Sequence, residues 1–141
     1  MGRKSIKKNV FIVDKQEYWR ELSSAALSAA GYKVSVFDSY LKLKENDQNL
    51  KNKPDLIIIG CAKTGVEEIE LIRLLNHKSI DQLVLCTFLT SDEMRQAFKL
   101  GASDVAEKPF TPKNLINIVK ESFDGFAIRN KYALNHISEN L

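Results

Sequence analysis

Short apolar runs rich in β-branched residues alternate along the chain with longer segments whose apolar residues recur at helical spacing. This alternation is typical of a parallel sheet that helices cover on both faces. Five runs predict strands, at Val10–Val13, Tyr32–Phe37, Leu56–Ile59, Leu83–Cys86 and Val105–Ala106. We therefore expect an α/β fold, a single doubly wound domain with a five-stranded parallel sheet.

The segments between the strands carry residues that favour helix starts and helix ends. Helical spacing predicts helices at Glu17–Ala30, with Gly31 as the C-cap, at Ser39–Asn52 and at Val66–Leu75. Thr90 and Glu93 form a capping box for a fourth helix, which we expect to end at Gly101. Thr111 as N-cap and Pro112 at the first helical position predict the last helix.

The length and composition are those of one globular domain, with 141 residues of which 44% are hydrophobic and 28% charged. We expect the domain to span residues 8–124, after a basic arm at residues 1–7 and before a tail at residues 125–141. The tail keeps an approximate helical spacing, so it could form an extra helix or be a frayed linker.

The chain carries 21 Lys and Arg residues against 18 Asp and Glu residues, a net charge of +3. Basic residues at the N-terminus account for the excess, and this arm could contact an acidic partner or be a solvated tail. The rest of the sequence has no basic face interleaved with aromatic residues. We therefore do not expect this domain alone to bind nucleic acid.

Two further features of the sequence indicate where the protein works. No apolar stretch approaches the roughly 18 residues of a membrane span, and the basic segment Met1–Asn9 lacks the apolar run of a secretory signal. We expect a cytoplasmic protein without membrane contact. Cys61 and Cys86 lack the spacing of a zinc site, and in a reducing compartment we expect two small buried hydrophobes.

Functional groups in open α/β sheets gather at the carboxyl ends of the strands, near the point where the strand order reverses. Polar or small residues follow four of the predicted strands here. They are Asp14 and Lys15, Gly60 and Cys61, Thr87, and Lys108. We expect these six residues to lie at one edge of the sheet and to form a pocket.

Several strings of the chain, in this order, resemble the receiver domain of bacterial two-component response regulators. They are Val10–Asp14, Pro54–Ile59, Thr87, Gly101–Asp104 and Lys108–Phe110. The resemblance covers Lys8 to about Asp124. It implies the flavodoxin-like strand order 2-1-3-4-5 and a place in a phosphorelay.

The resemblance also implies a chemistry for the pocket. A receiver accepts phosphate on an aspartate that ends the third strand, while acidic residues after the first strand hold magnesium and a hydroxyl and a lysine grip the phosphoryl oxygens. Asp14 matches the first acidic position, Thr87 the hydroxyl and Lys108 the lysine. Lys15, however, stands at the second acidic position, and Gly60 stands where the phosphoacceptor belongs, so that position is non-functional.

Other departures from the family pattern affect the same phosphate-binding pocket and the residues around it. The loop from Cys61 to Gly65 is short and lacks the usual Met-Pro segment, Phe88 is bulky, and Val105 replaces a common aromatic residue. The pattern of the family has a net charge of −2 in the pocket, whereas Asp14, Lys15 and Lys108 total +1. We therefore expect no bound magnesium and no other cofactor, with the two lysines either diverging or bridged by Asp14.

Two residues near Gly60 in the sequence could in principle replace the missing aspartate as phosphoacceptor or reactive group. Asp55 lies five strand residues from Gly60, about 16 Å at ~3.3 Å per residue, and so belongs to the opposite edge. Cys61 is better placed. Its thiol is either activated by a nearby lysine or, as most buried cysteines are, unreactive.

The sequence supports two hypotheses for function, neither of them enzymatic, because no complete catalytic set is present. The first is a pseudo-receiver that binds a protein partner, such as a signalling kinase or an output domain, without being phosphorylated. Candidate interface residues are Phe98, Val105, Phe110 and Phe126, and the tail could support a homodimer. The second is a sensor of a small ligand or anion at Lys15, Gly60, Thr87 and Lys108.

Overall fold

The structure, a computed structural model, describes residues 7–45, 51, 53–87, 90–108 and 110–124. Five parallel strands form one sheet in the order β2-β1-β3-β4-β5. The strands are β1 Asn9–Asp14, β2 Lys33–Phe37, β3 Leu56–Cys61, β4 Gln82–Cys86 and β5 Asp104–Glu107. The predicted strands and the predicted order are confirmed.

In the described parts of the chain, five helices of six or more residues connect or follow the strands. They are α1 Glu17–Ala29, α2 Tyr40–Glu45, α3 Val66–His77, α4 Ser91–Leu100 and α5 at residues 112–124. The helix predicted at Ser39–Asn52 is described only in part, because residues 46–50 and 52 lie outside the described residues. The tail at residues 125–141 and most of the basic arm lie outside them as well.

The helix boundaries follow the capping residues, with one difference. Thr90 Oγ1 accepts from the Glu93 N–H at 3.1 Å, and Thr111 Oγ1 accepts from the Asn114 N–H at 3.1 Å. Gly101 ends α4 in the left-handed region at a φ of 115°, where a glycine is favoured. Gly31, predicted as the C-cap of α1, instead follows Ala30, which is the C-cap.

The core has two layers because successive strand residues point to opposite faces of the sheet. One layer lies under α2, α3 and α4 and includes Val13, Ile57, Ile59, Cys61, Leu71, Val84 and Cys86. The other lies under α1 and α5 and includes Val10, Ile12, Leu27, Ile58, Leu85, Leu115 and Val119. Parallel pairing places the carboxyl ends of β1, β3, β4 and β5 side by side, and the helices cover both faces of the sheet. Within the described residues, no helix is long and apolar enough to span a bilayer.

Candidate functional site

Asp14 and Lys108 form a buried ion pair at the carboxyl edge of the sheet. Asp14 ends β1 and Lys108 follows β5, and their exposed fractions are 4% and 3%. The Lys108 ammonium donates to Asp14 Oδ2 at 2.7 Å and to Gln16 Oε1 at 3.1 Å. It also lies 5.5 Å from the centre of the Trp19 ring. The buried ammonium therefore has polar and aromatic contacts in place of water.

Gly60 lies beside Asp14 on the neighbouring strand, as its register partner. A Cβ atom at residue 60 would overlap Asp14 Oδ2, at 2.5 Å from Asp14 Cγ and 3.1 Å from Asp14 Cβ. Asp14 is fixed in this position, because its Oδ1 accepts from the Gln16 N–H at 2.9 Å while its Oδ2 binds Lys108. The Asp14 carboxylate thus occupies the space that a side chain at residue 60 would need.

Lys15 turns away from this ion pair. Its ammonium lies 2.8 Å from Glu67 Oε2, and the two side chains are 64% and 54% exposed. The hydrogen bond to Glu67 and the charge of the same carboxylate raise the pKa of Lys15. The two lysines therefore diverge, each toward a different carboxylate.

The charge balance of the site differs from the one that the sequence predicts. The count of +1 for Asp14, Lys15 and Lys108 omits Glu67, which binds Lys15. With Glu67 included, the four side chains sum to zero, so the prediction of a net positive pocket is wrong. The prediction fails because the first turn of α3, which carries Glu67, lies at the same edge of the sheet.

The donor set does not fit the magnesium ion that the fold family implies. Magnesium prefers an octahedron of oxygen ligands. Here both oxygens of Asp14 accept hydrogen bonds, Lys15 offers an ammonium, and Gly60 offers no side chain. In the described parts of the chain, no three His, Cys, Asp or Glu side chains are grouped so as to hold a metal ion.

Cys61 and Cys86 are register partners at the ends of β3 and β4, and both are buried and outside any disulfide. Burial, together with the neighbouring Cys86, raises the pKa of the Cys61 thiol, so the nucleophilic thiolate is scarce at neutral pH. Cys86 Sγ donates to the Ala62 carbonyl at 3.4 Å. Thr87, half-buried, donates its backbone N–H to the Cys61 carbonyl at 3.1 Å. Both thiols are buried, as the sequence predicts for two small hydrophobic side chains.

A cavity of about 310 Å³ opens between the ends of β1 and β3 and the helices α2 and α3. Four of the six predicted pocket residues line it, namely Asp14, Lys15, Gly60 and Cys61. Thr87 and Lys108 lie outside its lining. The space therefore extends away from the ion pair, toward α2 and α3.

The predicted interface residues are mostly part of the core. Val105 is 7% exposed and packs in the layer under α2, α3 and α4. Phe110 is 8% exposed, with its ring 4.8 Å from the Trp19 ring. This burial corrects the expectation that Val105 and Phe110 lie on an interaction surface. Phe98 is half-buried against the core, and Phe126 lies outside the described residues, as does Phe88, the bulky residue that follows Thr87.

Three residues of the site have roles that the sequence does not reveal. Glu67 binds Lys15, Gln16 accepts from Lys108, and Trp19 covers the Lys108 ammonium. Gln16 and Glu67 both come shortly after a strand end, which is the signal that could have found them. Trp19 occupies a core position of α1 by periodicity, and its contact with Lys108 depends on how α1 packs over the sheet.

Comparisons with known proteins agree with this fold. The chain is 31% identical over 122 residues to the phosphate regulon transcriptional regulatory protein PhoB of Pseudomonas aeruginosa, covering 80% of this chain and 50% of PhoB. It is 26% identical to the C4-dicarboxylate transport transcriptional regulatory protein DctD of the same species, covering 82% of this chain and 25% of DctD. The chain thus spans half or less of these curated relatives.

Solved structures show the same fold. The chemotaxis response regulator CheY4 of Vibrio cholerae superposes with a TM-score of 0.72 at 23% identity, covering 82% of this chain and 98% of CheY4. The orphan response regulator HP1043 of H. pylori gives a TM-score of 0.67 at 22% identity, covering 80% and 93%. The family model of the response regulator receiver domain matches residues 10–120. The chain therefore belongs to the response regulator receiver domain family.

Proposed function

We propose that this receiver domain works without phosphorylation, as a pseudo-receiver that carries signals through protein contacts in a two-component pathway. Receiver domains are signalling modules that interact with kinases and output domains, rather than classical enzymes. The family membership supports the pathway. The departures of the site from the family pattern support the absence of phosphorylation.

One observation carries the proposal. The Asp14 carboxylate fills the space at residue 60 and is held there by Lys108 and by the Gln16 N–H. Phosphoryl transfer needs a nucleophile at this point, with a cation and a lysine that neutralise the charge of the phosphoryl group. In this chain the nucleophile position is Gly60, the donor set does not fit magnesium, and the lysine is engaged in a buried pair.

The test uses the single tryptophan of the chain, Trp19, which contacts Lys108. The protein is titrated with magnesium and then with acetyl phosphate or beryllium fluoride, while Trp19 fluorescence and the amide resonances of Gly60 and Thr87 are followed. We expect no saturable change and no phosphoryl group in the intact mass. A saturable change with magnesium plus beryllium fluoride would refute the proposal.

The partner surface that we propose is formed by α4, β5 and α5. Because Val105 and Phe110 are buried, the part of this surface that faces solvent includes Phe98 and Ala106, both half-buried. A signalling kinase or an output domain is the proposed partner. Homodimer formation remains a prediction of the sequence, and light scattering at increasing concentration measures it directly.

A second candidate function is a sensor of a small ligand, which the cavity of about 310 Å³ beside Gly60 favours. Anion binding has less support, because Lys15 and Lys108 each bind a carboxylate at less than 3 Å, at 2.8 and 2.7 Å. Binding at the cavity would be detected as saturable shifts of the Gly60 amide resonance.

A further inference from the structure

The cavity beside Gly60 lies at the point of the sheet where ligands commonly bind in this type of architecture. In the order β2-β1-β3-β4-β5, the connections after β1 and β3 pass to opposite faces, which opens a crevice at the carboxyl ends of these strands. Gly60 contributes no side chain to fill the crevice, and Asp14 is drawn toward Lys108. The space that remains continues toward α2 and α3.

The wall of the cavity is mainly apolar. Val13, Ile59, Leu71 and Cys61 belong to the buried core layer, and Tyr40 packs against the same layer from α2. Burial raises the pKa of the Cys61 thiol, which agrees with a wall that does not stabilise charge. The volume of about 310 Å³ is roughly twice that of an apolar cavity of ~150 Å³ known to bind benzene.

The charges around the cavity leave no net attraction for an ion. Lys15 is bound to Glu67, and Asp14 to Lys108. Glu68 accepts from the Gly65 N–H at 3.0 Å, and Lys63 stands on the exposed loop at the mouth. These three lysines and three carboxylates sum to zero. An ion inside would give up its hydration at a site whose surrounding charges balance when Lys108, behind the lining, is counted with Asp14.

We propose that this cavity binds a small, uncharged and mostly apolar molecule of one or two rings. The inference rests on the ligand-sensing candidate function and names its ligand class. The ligand would lie against Val13, Ile59 and Leu71, next to Tyr40, with Gly60 at its edge. Its contacts would connect the sheet with α2 and α3.

The test compares three probes of similar size and different charge on the full chain. Benzyl alcohol is neutral, benzoate is an anion and benzylamine is a cation at pH 7. We expect benzyl alcohol to shift the amide resonances of Gly60, Cys61 and Leu71 saturably with one-to-one stoichiometry. Benzoate and benzylamine are expected to bind at least tenfold more weakly.

Two matched variants test whether the probe binds inside the cavity. Ala62 lines the cavity and is exposed, so Ala62→Phe puts a ring at its mouth and is expected to weaken benzyl alcohol binding at least tenfold. Val66, which is 73% exposed and outside the lining, provides the control, since Val66→Phe should leave binding unchanged. The titration of the unmodified chain decides the question if either variant does not fold.

The other outcomes separate this inference from the function on which it rests. Tighter binding of benzoate or benzylamine at the same resonances would overturn the uncharged ligand class and leave ligand sensing in place. No saturable shift with any of the three probes would overturn both. Equal weakening by Ala62→Phe and Val66→Phe would place the probe elsewhere and overturn the inference.

Discussion

The Asp14 carboxylate occupies the space that a side chain at Gly60 would need, so the position of Asp14 and the residue type at position 60 depend on each other. Asp14 can reach Lys108 at 2.7 Å through the space beside residue 60 because that residue has no side chain. Gly60 in turn must stay a glycine as long as Asp14 keeps this position. The absence of a side chain at residue 60 and the buried ion pair therefore depend on each other.

Replacement of Gly60 by alanine tests this relationship. Within a strand, a protein with alanine is usually more stable than one with glycine by about 0.5–1 kcal/mol. Here the added Cβ would overlap the Asp14 carboxylate, so we expect the free energy of unfolding to fall by about 1–3 kcal/mol, the usual cost of overpacking. Urea unfolding followed by Trp19 fluorescence measures the change.

A control for this substitution is Gly65→Ala, whose added Cβ would meet only Glu68 Oε1 at 3.3 Å. We expect a loss below about 1 kcal/mol there, from the weaker N-cap. In an Asp14→Ala background the overlapping atoms are gone, so the additional effect of Gly60→Ala should shrink or change sign. An unchanged effect in that background would show that Asp14 is not the cause.

A second prediction compares the two ion pairs of the site. Their N···O distances are similar, at 2.7 and 2.8 Å, but one pair is buried and the other is exposed. The Asp14–Lys108 pair has side-chain exposures of 4% and 1%, against 64% for Lys15 and 54% for Glu67. Asp14→Ala leaves a buried ammonium without its partner, and we expect a loss of about 3–5 kcal/mol. Lys15→Ala should cost less than about 1 kcal/mol, because water screens an exposed pair. Similar losses in the two variants, measured by urea unfolding, would contradict this assignment.

Hydrophobic periodicity and capping residues suffice to predict the strands and most helix boundaries of this chain, whereas the strand order is expected from the resemblance to receiver domains. Thr90 and Gly101 illustrate why, since each acts on the backbone within a few residues. Asp55 also lies where the strand length places it, at the opposite edge, where it accepts from the Asn9 N–H at 2.7 Å. The caps depend on local geometry, and the position of Asp55 follows from the length of its strand.

The partners inside the site could not be predicted in the same way. Which carboxylate Lys15 binds depends on the turn of α3 that faces it, and the burial of Val105 and Phe110 depends on how helices pack over the edge of the sheet. Such contacts join residues far apart in the sequence. The residue types at the edge are visible in the chain, whereas their pairing follows from the tertiary fold.

The Cys61 thiol gives a prediction for the pH dependence of stability. Burial raises its pKa from an ordinary value of 9.0, so above about pH 9 the unfolded chain loses this proton while the folded chain retains it. The folded state then binds more protons, and stability should fall as the pH rises, by at most about 1.4 kcal/mol per pH unit. Urea unfolding between pH 8 and 10 measures the slope.

Cys61→Ala is the control for this pH effect. The variant should show a smaller slope between pH 8 and 10. A residual slope near pH 10 is expected from Tyr32, because burial also raises the pKa of its phenol from 10.0. If Cys61→Ala and the unmodified chain have the same slope, the thiol does not remain protonated in the folded state.

Restoring the family residues one at a time provides the last prediction. Gly60→Asp alone adds a carboxylate where Asp14 already stands, and it leaves the Lys15 ammonium at the same edge. We expect this single variant to gain neither magnesium binding nor a phosphoryl group from acetyl phosphate. Adding Lys15→Asp gives four carboxylates, Glu67 included, and one lysine, a charge balance that favours a hard cation with oxygen ligands; a bound cation would also draw the Asp14 carboxylate out of the space at residue 60. Calorimetry with magnesium should then detect binding, and intact mass should show phosphoryl transfer, in the double variant only. Lys15→Asp with Gly60 retained is the matched control, and phosphorylation of Gly60→Asp alone would show that Asp14 and Lys15 do not block the site.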